Sequence, residues 1–256
     1  MGVGAATGSA YMRWALSVAV CFVALIAASC GGGGDNGSAE GTTTAANGTA
    51  AAAPDPGDCS ADIDNRVAPI SSINSKVFQG SEKNPETDQI ILTRSEQRRL
   101  EESQTIADYP VTAVQSDGYE DGELVERTTA YYTQCSDGSV WFVGEKAEEI
   151  EDGEVAATDQ WEAGQEGAQA GLFMPADPKV GDTFEPERVP GSSEARSKVL
   201  EVGASVTTKA GKFTDCIKTE DFSPLDDVTE IKFHCPRAGT VREQSEGLNF
   251  DLIRFS

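Results

Sequence analysis

The sequence predicts a mainly β protein. The expected architecture is a curved antiparallel sheet, meander or half-barrel-like, with little helix, preceded by a signal peptide and a disordered tether. Three observations carry this. Asp-Gly recurs at Asp121–Gly122, Asp137–Gly138 and Asp152–Gly153, and Asp-Gly suits type I′ hairpin turns, whose two central residues need positive φ. Between the turns lie runs rich in β-branched and aromatic residues, from Leu124 to Thr133 and from Val140 to Val143. No long stretch carries the 3.6-residue apolar period of an amphipathic helix.

The elements follow in order. A two-residue turn at Asp121–Gly122 sets Tyr119 opposite Leu124, although Asp117–Gly118 offers a competing turn four residues earlier. One at Asp137–Gly138 sets Tyr132 opposite Val143 and Thr133 opposite Phe142, and one at Asp152–Gly153 sets Ile150 opposite Val155. Ser95 to Ser103 has good helix formers, but Leu100 is its lone apolar residue. An exposed helix there is marginal, so an edge strand or solvated ribbon is expected. Residues 161–191 carry Pro175, Pro178, Pro186 and Pro190 and read as an extended connection crossing the sheet. Val199–Val202, Ala204–Thr208, a turn at Ala210–Gly211, then Phe213–Thr219, Thr229–His234, Gly239–Glu243 and Phe250–Phe255 complete the strands.

The N-terminal residues read as an address. Trp14–Ser29 is an uncharged apolar run behind Arg13. It falls short of the ~20 residues of a spanning helix and matches the apolar region of a secretory signal peptide. Met1–Tyr11 is polar and uncharged, so Met12 stands beside Met1 as a candidate start. Ile26-Ala27-Ala28-Ser29-Cys30 resembles a bacterial lipobox: Ala28, Ser29 and Cys30 match, and Ala27 stands where Leu is usual. The resemblance implies cleavage after residue 29 and acylation of Cys30 by palmitate-like chains. Several such chains hold a protein stably on a membrane. The chain is then a lipoprotein of the cell envelope, anchored on the extracytoplasmic side of the bacterial cell membrane. Residues 30–58 are rich in Gly, Ala and Thr with no large apolar side chain, so they are expected to be a disordered tether. Residues 59–256 then form a single β-rich domain.

Charge and cysteines narrow the function classes. Twenty Lys and Arg oppose 43 Asp and Glu, a formal charge of −23, which repels phosphate backbones and argues against nucleic acid as a partner. Cys21 lies in the signal peptide. Cys59, Cys135, Cys216 and Cys235 are left for two disulfides, with three pairings open. A hairpin centred near Leu225–Asp226 sets Cys216 opposite Cys235, which favours Cys216–Cys235 with Cys59–Cys135. The favoured pairing joins a strand face holding Ile231 and Phe233 to one holding Thr214 and Lys218, so a bulge is expected to reconcile them.

No catalytic residue, metal site or cofactor is assigned. The chain has one histidine and no Cys-x-x-Cys, Gly-x-Ser-x-Gly, phosphate loop or dinucleotide fingerprint. His234 alternates with Ile231 and Phe233, so it is expected with Lys232 on the wet face. The acidic clusters at Glu145–Glu154 and Asp215–Glu230 read as a solvated surface. Two carboxylates facing each other across a cleft at ~5–9.5 Å would instead make a glycosidase-like hydrolase.

Three segments resemble motifs of a family of uncharacterised bacterial envelope lipoproteins. They are Tyr131-Tyr132-Thr-Gln-Cys-Ser-Asp-Gly-Ser-Val-Trp141-Phe-Val-Gly-Glu145, Met174-Pro-Ala-Asp-Pro-Lys-Val-Gly-Asp-Thr-Phe184 and Ala210-Gly-Lys-Phe-Thr-Asp-Cys216. The chain departs from the pattern at Cys135 and Cys235. No activity is established for that family, so the resemblance implies no catalytic residue. It implies a curved half-barrel sheet similar to those of lipoprotein carriers. The anchor, the long leash, the β-rich domain and the lack of a chemical constellation give the expected function: a non-catalytic binding or interaction domain, holding an apolar ligand or an envelope partner on a concave face with Tyr132, Trp141, Phe142 and Phe173. The alternatives are an acidic-residue envelope hydrolase and a purely structural envelope component.

Overall fold

The computed structural model describes residues 51–84, 87–101, 104–225 and 227–256. The predicted signal peptide, Cys21, Cys30 and the tether up to position 50 lie outside the described residues. The strands are β1 (Cys59–Ser60), β2 (Ser75–Lys83), β3 (Ile90–Arg99), β4 (Gln104–Ile106), β5 (Tyr109–Glu120), β6 (Glu123–Cys135), β7 (Val140–Glu151) and β8 (Glu154–Glu162). They continue as β9 (Gly171–Met174), β10 (Thr183–Val189), β11 (Ser193–Thr208), β12 (Gly211–Ser223), β13 (Val228–Cys235), β14 (Gly239–Ser245) and β15 (Leu248–Phe255). Among the described residues the helical content is two 3₁₀ turns, Pro56–Asp58 and Ile70–Ser72.

All strands join one antiparallel sheet in the order β10-β11-β12-β13-β14-β15-β2-β3-β5-β6-β7-β8, with β1, β4 and β9 as side pairings. The two ends of the order nearly meet. β9 pairs with the start of β7, and Gln169 N donates to Arg188 O at 3.0 Å beside β10. A Cβ on Gly171 would lie 2.0 Å from Pro186 O, so β9 approaches β10 as closely as glycine alone allows. The expected curved sheet is a nearly closed barrel.

Two of the three Asp-Gly turns adopt the expected geometry. Asp121, Gly122, Asp152 and Gly153 all have positive φ, and Tyr119 pairs with Leu124 and Ile150 with Val155. The middle turn differs. Cys135 N donates to Ser139 O and Gly138 N to Cys135 O. The loop therefore has three residues, with Gly138 supplying the positive φ. Tyr132 consequently faces Phe142 and Thr133 faces Trp141, one step from the expected register. A bulge at Val143 restores that register beyond, where Tyr131 meets Gly144.

Other expectations need correction. β3 lies between β2 and β5 rather than at an edge. It needs no apolar face, because the interior wall it joins is polar: Thr93 and Ser95 are fully buried there. Residues 161–191 contain the end of β8 and all of β9 and β10. Pro186 is tolerated because β10 shifts register between Phe184 and Glu187. The β11–β12 turn centres on Lys209–Ala210, since Thr208 pairs with Gly211.

Both disulfides form as favoured, Cys59–Cys135 and Cys216–Cys235. The bulge expected between β12 and β13 is absent; their ladder runs unbroken from Ile217–His234 to Ser223–Val228. Lys218 pairs directly with Phe233, and its ammonium sits 5.7 Å from the ring centroid. The apolar and charged residues thus share a face without conflict.

One end of the barrel is plugged by the segment before β2. Ile63, Val67 and Ala68 are buried against Ala130, Tyr132, Phe142 and Met174 of the inner wall. Asn65 fixes the plug: its Oδ1 accepts from Val67 N and Ala68 N, and its Nδ2 donates to Gly138 O and Pro175 O. The chain leading in is docked as well, since Tyr109 donates its hydroxyl to Pro54 O at 2.7 Å.

Candidate functional site

Strand alternation gives each wall residue a face, and directly paired residues share it. One row crosses the interior as Val199, Thr219, Lys232, Glu243 and Phe250 on successive strands. The next contains Asp221 opposite Glu230, and beyond the row on the other side Ile217 faces His234. His234 is therefore buried on the inner face, correcting the expectation of a wet position. The sheet is folded with its polar alternate residues inward at β13. Ile231 and Phe233 take the outer face, where they are half-buried.

The expected solvated acidic surface holds at Glu149, Glu151, Asp152, Glu154 and Asp215, which are exposed, but not throughout. Glu145, Glu187, Glu230 and Glu243 are buried. The bulge at Val143 explains Glu145: it lets Phe142 and Glu145, three positions apart, face inward together, opposite Tyr132 and Ala130. Asp221 and Glu230 do not face a cleft; both bind the Lys232 ammonium, at 3.2 and 3.0 Å.

Burial dominates the electrostatics. It works against the Lys232 charge, yet Glu230, Asp221 and Glu243 outweigh it and hold the ammonium well above its usual pKa. Burial pushes the Glu243 carboxyl up to about 7, with Lys232 opposing. It pulls Lys76 down to about 7, against the attraction of Glu243. It holds the His234 imidazole down to about 4. Both His234 nitrogens are occupied, Nε2 by Thr219 Oγ1 at 3.3 Å and Nδ1 by Thr240 Oγ1 at 3.1 Å. Further round the wall, burial raises Glu126 to about 8, opposed by its hydrogen bond from Thr128. Burial, then Glu187 and Glu126, raises Glu145 well above the usual carboxylate range.

Beneath the plug lies a cavity of about 90 Å³. Val67, Ile70 and Ile73 roof it, and Phe78, Val114, Ala130, Tyr132 and Phe173 form its apolar walls. Lys76, Arg99 and Glu243 also line it. Glu243 is 1% exposed, and neither of its carboxylate oxygens has a hydrogen-bond partner among the described residues. Lys76 Nζ donates to Thr240 O at 2.6 Å. Asn74, exposed at the rim, accepts from Arg99 Nη2 at 3.0 Å. The cavity thus runs from an exposed rim to a buried carboxylate.

The four aromatic residues expected on one concave face divide. Tyr132 stacks on Phe142 at 5.2 Å and meets Phe173 at 5.0 Å, and Phe142 meets Trp161 edge-on at 4.9 Å. Trp141 belongs to a different cluster, with Tyr109, Val111 and Cys135. Its Nε1 donates to Ser139 Oγ, which donates to Asp137 Oδ1. Tyr132 and Phe173 line the cavity; Phe142 lies behind Tyr132.

Sequence reading missed Lys76, Arg99 and Glu243. Their only signal is charge at positions whose neighbours in register are inward, and that needs the pairing of β2, β3 and β14 to be known. Among the described residues no three His, Cys, Asp or Glu side chains converge as a metal-binding group. Comparison of the chain with protein-family models, characterised proteins and solved structures found no match.

Proposed function

We propose that this chain is an envelope lipoprotein, anchored through an acylated Cys30 on the extracytoplasmic face of the membrane, whose barrel is a non-catalytic binding domain. The observation that carries the binding reading is the cavity that ends on Glu243. An ionisable group buried without hydrogen bonds costs stability unless something compensates it, and Glu243 meets no hydrogen-bond partner in the wall it belongs to. Two disulfides suit an oxidising compartment outside the cytosol. The lipobox-like Ile26–Cys30 and the Gly-rich stretch after it supply the anchor and the leash.

The cavity volume bears on the ligand. About 90 Å³ is well under the ~300–1,000 Å³ of drug-sized sites. A small polar-headed molecule suits it better than an acyl chain.

Two measurements test the proposal. Cys30→Ser should move the chain from the membrane pellet to the soluble fraction, and the wild-type Cys30 peptide should carry acyl mass; equal retention of the variant refutes the anchor. Small-molecule mass spectrometry of protein extracted from its own membrane should find a stoichiometric compound. A clean extract refutes the binding reading.

A further inference from the structure

The orphan polar atoms around the cavity have complementary signs. Glu243 offers two carboxylate oxygens without donors, and Arg99 offers a buried Nε–H without an acceptor. Both residues line the same cavity, with apolar walls between. Neither group solves the other's problem, because no hydrogen bond or ion pair joins them among those the structure contains. Lys232 and Lys76 both attract Glu243, yet neither hydrogen-bonds it: the Lys232 ammonium is bonded to Asp221 and Glu230, and Lys76 donates to Thr240 O. A molecule completing this lining needs a donor, best a cation, at its buried end and an acceptor, best an anion, towards the rim. It must also be small, since the cavity measures about 90 Å³.

We infer that the cavity binds a small amino-acid-like zwitterion, its ammonium donating to Glu243 and its carboxylate accepting from Arg99. The inference rests on the reading of this cavity as a ligand site and names the class of ligand.

The test is a calorimetric and NMR titration of the full chain with glycine, L-alanine and D-alanine. Ethylammonium supplies the cation alone and propionate the anion alone. Glycine or an alanine should bind and shift the amides of Thr240 to Gln244. Each half-charged analogue should bind about tenfold or more weakly, because a buried charge-assisted hydrogen bond is lost. Glu243→Gln and Arg99→Gln should each weaken the zwitterion by a similar factor while far-UV circular dichroism stays that of the wild type. If a variant does not fold, the analogue comparison on the wild type decides alone. No binding of any of the three zwitterions overturns the inference. So does ethylammonium or propionate binding as tightly, or a response that both folded variants leave unchanged. A different small molecule in the native extract, retained by wild type and lost from Glu243→Gln, would overturn the zwitterion while leaving the binding domain standing. An empty extract together with failed titrations removes both.

Discussion

Lys232 and Glu243 are direct cross-strand partners on β13 and β14, yet the Lys232 ammonium is bonded to Asp221 and Glu230 instead. Two carboxylates thus hold one cation, and the third turns to the cavity. This arrangement makes the barrel interior, rather than its outer surface, the chemically distinctive side of the protein.

Removing the shared cation should be costly. Lys232→Met leaves Asp221 and Glu230 buried without a partner, and breaking a buried pair from one side costs about 3–5 kcal/mol. Urea unfolding at neutral pH measures it. A loss below about 1 kcal/mol would mean that water, and not Lys232, solvates these carboxylates.

Burial of Glu126 gives stability a defined pH slope. Its folded pKa is about 8 against an ordinary 4.5. Between those values the unfolded chain gives up a proton that the folded one keeps, so this group's contribution falls as pH rises from 4.5 to 8 and is flat above. Glu126→Gln should remove that slope. Its melting temperature relative to wild type should be higher at pH 8 than at pH 5.

His234 acts in the opposite sense. Its folded pKa is about 4 against 6.5. The unfolded chain therefore takes up a proton below pH 6.5 that the folded chain refuses, and stability from this residue is lost as pH falls towards 4. His234→Asn should cost more at pH 7.5 than at pH 4.5, as read from unfolding midpoints at the two values.

The two disulfides should differ in worth. Cys59–Cys135 spans 76 residues of sequence and Cys216–Cys235 spans 19. On the chain-entropy relation the longer loop contributes about 1 kcal/mol more. Paired Cys→Ser variants compared by denaturant unfolding test this. Equal losses would place the effect in the folded state.

The divided aromatic set separates ligand contact from packing. Phe173→Ala should alter ligand binding, because Phe173 lines the cavity. Trp141→Phe should leave it unchanged, because Trp141 packs with Tyr109 and Cys135 elsewhere.

Much of the fold was legible because turn chemistry is local. Asp121–Gly122 and Asp152–Gly153 set their hairpins through positive φ alone. The Asp137–Gly138 register was not legible. Asp-Gly also fits a three-residue loop, and the compensating bulge at Val143 carries no residue signature. That bulge is also why Glu145 looked exposed. His234 and Lys232 were misplaced for a broader reason. Alternation shows that Ile231 and Phe233 share a face, but not that the barrel turns its polar face inward at β13. Glu243 and Arg99 come together only through long-range pairing, which no window of sequence contains.

The most direct test is a crystal structure of the protein extracted from its own membrane without added small molecules. The expected result is density for a compact solute beneath Val67–Ile73, with a donor within hydrogen-bonding distance of the Glu243 carboxylate. A cavity holding ordered water alone, with Glu243 hydrogen-bonded to it, would contradict the assignment of this barrel as a binding domain.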